Sequence, residues 1–215
     1  MKRKSLVLVM IAGLMMLSCN KKNDDDITIP NQENQETNLI NGHEYVDLGL
    51  SVKWATCNIG ASSPEDYGNY YAWGETNTKN EYNPDNSLTY NVPVSDFSGN
   101  SYYDVAKKEW GSTWRIPSSE EISELINKCL WEWTFKNGVT GCEVKGPSGK
   151  TIFIPAAGLH VFSSLSSEGV NGYYWSSSPY EDDNKEASYL YFEKSDCYGD
   201  GQTRYFGLSI RPVTE

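Results

Sequence analysis

The chain has 215 residues, 29 acidic against 18 basic, for a formal net charge of −11. That balance disfavours a nucleic-acid surface, which needs a basic face to neutralise phosphates. The two histidines, His43 and His160, show no metal-like spacing to cysteine, and no nucleophile elbow, phosphate loop or dinucleotide fingerprint occurs.

The N-terminus reads as an address. Lys2, Arg3 and Lys4 form a basic region, and residues 6–17 form an apolar core shorter than a typical spanning helix. Met16-Leu17-Ser18-Cys19 closes it as a bacterial lipobox would. We expect residues 1–18 to be a lipoprotein signal peptide and Cys19 to carry lipid, which would make the membrane a partner and the outer membrane, on its exposed side, the location. The competing reading is an ordinary signal peptide with a chance cysteine; the order of basic, apolar, small and cysteine positions argues against it. Residues 19–38 are polar and nearly free of large apolar groups, so burial cannot offset their ordering entropy and they read as a flexible acidic tether. Residues 21–26 (KKNDDD) resemble the charged export tag of surface lipoproteins in Bacteroidota-type bacteria.

Residues 39–215 fit one domain. Residues 43–49 and 52–60 read as two strands around a tight turn, with Ala55, Cys57 and Ile59 alternating towards a core. Ser63-Pro64-Glu65-Asp66 carries helix-start signals: a cap, a proline at the first helical position and acids in the first turn. An aromatic, glycine-rich run covers 67–75. Residues 76–101 keep no period, and a loop of that length in a compact domain tends to be functional or mobile. A helix is predicted over 103–110, stopped by Gly111. The next helix has its start written out. Pro117 disfavours helix at Ile116, Ser118 can cap, Glu121 can reach back, and Ile122, Leu125, Ile126 and Cys129 form one apolar stripe. Trp110 and Trp114 pin the corner between these helices. Strands are expected over 130–135 and 139–145 around an Asn137-Gly138 hairpin turn, over 151–155 after a turn at 146–149, and over 172–177, 187–192 and 205–213. Many short strands with two or three helices make an α+β domain.

Trp110-Gly111, Trp114-Arg115-Ile116-Pro117 and the capped helix resemble the Fibrobacter succinogenes major paralogous domain, a relative of the C-type-lectin-like and sulfatase-modifying-factor folds. Residues 45–50, 64–75, 172–177 and 207–213 extend the resemblance, in order, over nearly the whole domain. It implies a C-type-lectin-like fold with short antiparallel strands, two to three helices and long loops. The sulfatase-modifying relatives are oxidases with a close pair of reactive cysteines in the C-terminal part. Here that part offers Cys142 and Cys197, far apart in sequence and in no matching motif, which disfavours the oxidase reading.

Cys57, Cys129 and Cys142 lie on apolar faces and read as small core hydrophobes, while Cys197 lies in a polar stretch; one disulfide among the four stays open in an exported domain. No catalytic residue, cofactor or metal site is expected. The acidic loop could offer oxygens to calcium, but the twelve-residue calcium loop and the calcium-lectin motifs are missing.

What remains is a binding surface in two C-terminal loops rich in tyrosine and short polar groups, types suited to adaptable contact. Tyr180, Tyr198 and Tyr205 are the candidates for stacking or apolar contact, and Asp182, Asp183, Asn184 and Asp200 for hydrogen bonding; two solvated turns would have the same composition. The 76–101 loop is the next place to look. The expected function is a non-enzymatic surface lipoprotein binding a glycan or protein ligand, with a part in an envelope or fimbria-like assembly as the alternative. Mass spectrometry of the mature N-terminus should find Cys19 diacylated or triacylated; an unmodified terminus beginning elsewhere would contradict the anchor.

Overall fold

The computed structural model describes residues 38–181 and 183–215; residues 1–37, which hold the expected leader, Cys19 and nearly all of the tether, lie outside the described residues, as does Asp182. Strands β1 (Leu39–Ile40), β2 (His43–Val46) and β3 (Lys53–Ala55) are followed, after a long irregular stretch, by helices α1 (Val105–Trp110) and α2 (Ser119–Lys128). Then come β4 (Leu130–Lys136), β5 (Val139–Lys145), β6 (Thr151–Pro155), β7 (Leu159–Val161) and β8 (Ser164–Ser166). The chain ends with β9 (Gly172–Pro179), β10 (Glu186–Phe192), β11 (Cys197–Thr203) and β12 (Val213–Thr214). The architecture is a strand-rich α+β fold of antiparallel sheets, in the orders β1-β2-β3-β12, β4-β5-β6, β11-β10-β9 and β7-β8.

The corner between the helices forms as its residues dictate. Asp104 caps α1 by accepting from the Lys107 amide, and Gly111 ends it at φ 63°. Ser118 and Glu121 form the reciprocal capping box on α2. The Glu121 carboxylate also takes a bidentate pair of bonds from Arg115, at 2.7 and 2.6 Å, so the helix start and the Trp-Arg-Ile-Pro turn share one anchor. Trp114 is fully buried, stands edge-on to Trp110 with ring centres 5.1 Å apart, and donates from Nε1 to the Ile40 carbonyl at 2.8 Å. His43 stacks on Trp110 at 3.8 Å.

Two apolar clusters fill the interior. In one, Ile122 and Leu125 of α2 pack with Leu190 and Phe192 of β10 and with Val144 and Ile154 of the β4–β6 sheet. The other gathers Trp73, Trp114, Trp175, Tyr71, Leu208 and Ile210.

Four expectations need correction. Ser63–Asp66 is a single turn, not a helix: the Asp66 carboxylate turns back to the Ser62 and Ser63 amides, and Gly68 at φ 70° then redirects the chain. Cys57 is half-buried rather than in the core: β3 ends at Ala55, so the alternation stops there, and although Ala55 and Ile59 are buried as expected, Asn58 is buried beside them. The closing stretch 205–213 is no continuous strand. It threads between elements, pairing in turn with His160, Tyr71 and Tyr174 before β12 begins at Val213, which itself bridges Arg115. The Ser195–Arg204 region, expected as a loop, contains β11, paired residue by residue with β10 from Phe192↔Cys197 to Glu186↔Thr203.

Leu125 is fully buried at the centre of the first cluster. Leu125→Ala should cost ~2–5 kcal/mol of unfolding free energy in urea. A change below about 0.5 kcal/mol would show that α2 is not a core element.

Candidate functional site

Residues 76–101 lack regular structure except a short 3-10 turn at Pro84–Asn86, capped by Asn83, yet they are fastened throughout. Tyr82 is 2 % exposed, donates from its hydroxyl to the Tyr70 carbonyl at 2.6 Å, and pairs by backbone with Phe162. Its ring lies where a Cβ on residue 207 would stand, so Gly207 makes room for it. The Thr89 hydroxyl donates to the Trp73 carbonyl at 2.6 Å, and Phe97 packs on Trp73 at 4.8 Å. At the far end the buried Asp104 carboxylate accepts from the Gly99 amide at 2.8 Å and the Ile116 amide at 2.9 Å, tying the loop to the corner. Burial raises the Asp104 pKa, against the opposing pull of these amide bonds.

The strongest fastening is Arg204, 1 % exposed, with its guanidinium 4.2 Å above the Trp73 ring. It donates to the carbonyls of Glu186 and Val92 at 2.9 Å, Asp183 at 3.3 Å and Thr89 at 3.4 Å. One cation thus holds the long loop against the β9–β10 connection.

Where the loop leaves Trp73 it walls an open hollow of about 490 Å³. Gly74, Glu75, Thr76 and Asn77 form one side, Ser101, Tyr102 and Tyr103 the other, with Leu88 and Lys108 at the margins. Tyr102 and Leu88 are 75 % and 73 % exposed, the most exposed large apolar side chains among the described residues apart from Leu130. Among them sits Glu75, buried, accepting from the Leu88 amide at 2.8 Å and paired with Lys79 at 2.6 Å. Lys108 donates to the Thr76 hydroxyl at 2.9 Å. Apolar surface beside hydroxyl, amide and charged groups is the usual make-up of a small-ligand site.

The C-terminal candidates do not converge on one place. The Tyr180 ring lies over Gly201, where a Cβ would strike it, and Tyr180 and Asp200 line a smaller cavity of about 220 Å³ beside the start of α2. A hydrogen bond to the Asp200 carboxylate raises the Tyr180 pKa. Tyr198, two residues from Asp200 on β11, lies 4.8 Å from the Tyr191 ring, which in turn lies 5.2 Å from Tyr173, outside the lining of that cavity. Tyr205 stands edge-on to Tyr90 at 5.0 Å, near the bond from the Asn91 amide to the Asn184 carbonyl. The Asp183 carboxylate is turned to the Lys185 amide. Tyr205, Asp183 and Asn184 therefore belong to the seam between the long loop and the C-terminal region, apart from Tyr180 and Asp200. The residues that sequence reasoning left unassigned are Glu75, Leu88, Tyr102 and Arg204. The length of the aperiodic stretch was the one signal pointing to Leu88, with Glu75 and Tyr102 just outside its two ends; a lone arginine in a polar run gave none.

Cys142 and Cys197, distant in sequence, line one hollow together with Trp131 and Trp133. Burial pushes both thiols up to about 12, and for Cys197 the neighbouring Cys142 adds to the shift. They are free thiols, as are Cys57 and Cys129. Thiols held protonated are poor nucleophiles and poor metal ligands. Among the described residues no three His, Cys, Asp or Glu side chains are grouped to hold a metal ion. Comparisons of the chain with family models, curated proteins and solved structures gave no match.

Iodoacetamide at pH 8 should leave Cys142 and Cys197 unalkylated in the native protein and modify both after unfolding, as read by peptide mass spectrometry. The raised thiol pKa values add stability that is fully present below the ordinary thiol value near 8.5 and is lost as pH climbs towards about 12. Rapid native alkylation of either would contradict the burial.

Proposed function

We propose that the chain is a non-enzymatic, lipid-anchored surface protein whose C-type-lectin-like domain binds a glycan in the hollow walled by residues 74–77, Leu88 and residues 101–103. The lectin-like reading is supported by the two-helix corner and by the long, well-fastened loop, a feature such folds carry. The observation that carries the ligand reading is the exposed pair Tyr102 and Leu88 beside Thr76, Asn77, Ser101 and Lys108. A sugar presents an apolar C–H face and a rim of hydroxyls. An exposed phenol ring suits the first; amide, hydroxyl and ammonium groups suit the second. The loop that holds them is already ordered by Arg204, so binding would cost little further ordering.

An array of glycans and surface proteins probed with the full chain would identify the ligand. Replacing Leu88 and Tyr102 together by serine should then weaken glycan binding by more than ~2 kcal/mol, about thirtyfold. Because both side chains are exposed, the melting temperature should stay nearly unchanged. Unchanged affinity, with binding lost instead when Tyr180, Tyr198 and Tyr205 become serine, would move the site to the C-terminal segments. Binding to proteins alone would overturn the glycan reading.

A further inference from the structure

Strand β4 is an edge with unusual chemistry for one. It pairs with β5 on one side, and on the other no described residue pairs with it. Edge strands are commonly blunted by proline, a bulge, short length or charged side chains. β4 has no proline or bulge and runs seven residues, Leu-Trp-Glu-Trp-Thr-Phe-Lys, in unbroken register with β5, and its two charges, Glu132 and Lys136, are of opposite sign. Leu130 and Phe135 are 74 % and 70 % exposed, and Trp131 and Trp133 only partly buried.

The hairpin fixes which backbone groups are free. Asn137 and Gly138 form its two-residue turn at φ 49° and 88°, the type I′ geometry. In such a hairpin the flanking pair, Lys136↔Val139, exchanges hydrogen bonds, and so do Thr134, Glu132 and Leu130 at every second step. The N–H and C=O groups of Trp131, Trp133 and Phe135 therefore point outward, and no described backbone group bonds them.

A second copy of β4 matches this edge when laid antiparallel with Thr134 on the two-fold axis. Trp133 and Phe135 of one copy then meet Phe135 and Trp133 of the other as hydrogen-bonded pairs built from the outward groups. Glu132 and Lys136 meet Lys136 and Glu132 as non-hydrogen-bonded pairs, the closer kind, with Cα atoms about 4.5 Å apart. Each complementary pair is made twice, as an isologous contact requires. Centring instead on Trp133 would set Glu132 against threonine and Lys136 against leucine, losing both ion pairs. Glu132 is exposed, and the Lys136 side chain, 48 % exposed, rests 3.5 Å from Glu65 and 5.6 Å from the Phe153 ring centre.

We infer that β4 is a self-association edge, through which two copies of this chain join their β4–β6 sheets into one six-stranded antiparallel sheet about Thr134. This is independent of the glycan hollow, which none of these residues lines.

The test is cross-linking of the full chain in the membranes of cells that express it. Thr134→Cys should give a reducible species of twice the mass on non-reducing gels, absent from wild type treated alike. Adding Glu132→Lys, which sets lysine against Lys136 twice, should reduce that species about tenfold. Adding Lys136→Glu as well should restore it, although that change also removes the Lys136–Glu65 pair, so the recovery cannot come from added stability. Near-UV circular dichroism of the purified variants checks that each is folded. A folded Thr134→Cys chain that stays monomeric, or a cross-link indifferent to the charge changes, would overturn the proposal.

Discussion

Arg204 is a buried cation that makes no salt bridge with any carboxylate among the described residues, and much of the rest follows from that. A guanidinium removed from water is tolerated only when its donors are satisfied, and here carbonyl oxygens and an aromatic face do so. The carbonyls come from Thr89 and Val92 in the long loop, from Asp183 in the β9–β10 connection and from Glu186 at the start of β10. A backbone oxygen has no rotamer to spare, so satisfying the charge fixes the course of both segments. Burial lowers the Arg204 pKa, a mark of the desolvation these contacts must offset. Arg211, fully buried, also joins segments at the other end of the closing stretch, donating to Asn58 Oδ1 and to the carbonyls of Ala55 and Thr56, while its Nη2 has no hydrogen-bond partner among the described residues.

After Arg204 and through Arg211, the stretch 207–213 is buried along its length and bonds a different element at almost every residue. Gly207 meets His160, Leu208 meets Tyr71, Ser209 meets Trp175, Ile210 meets Ile59, and Val213 meets Arg115. The last residues of the domain thus join the first sheet, the aromatic run and the helix corner. Asp104 is the anionic counterpart, gathering the end of the long loop, the start of α1 and the corner around one carboxylate. The hollow beside Tyr102 is framed by segments fixed at both ends, which is why irregular backbone can still present a defined surface.

What the sequence made legible is local. The start of α2 needed only Ser118, Glu121 and Pro117, and the β4–β5 hairpin only Asn137 and Gly138; each signal acts within a few residues, and each element formed as read. β11 was not legible, since Cys-Tyr-Gly-Asp-Gly-Gln-Thr has weak strand propensity and exists as a strand because β10 pairs with it. Ser63–Asp66 failed in the opposite direction: a good helix start with nothing to propagate it before Gly68. At the candidate site, the length of the aperiodic loop could be read, but not its fastening. Arg204 is more than a hundred residues from Thr89 and Val92, and they meet only through the fold.

The central claim is that Arg204 orders the long loop, and amide hydrogen exchange tests it most directly. In the native protein the Tyr82, Leu88 and Asn91 amides, each bonded in the structure, should be protected well above free-chain rates. Arg204→Met, which keeps bulk over Trp73 but removes every donor, should strip the protection from Leu88 and Asn91 while the α2 amides keep theirs. Free-chain exchange across the loop in the native protein, or unchanged protection in the variant, would contradict the account.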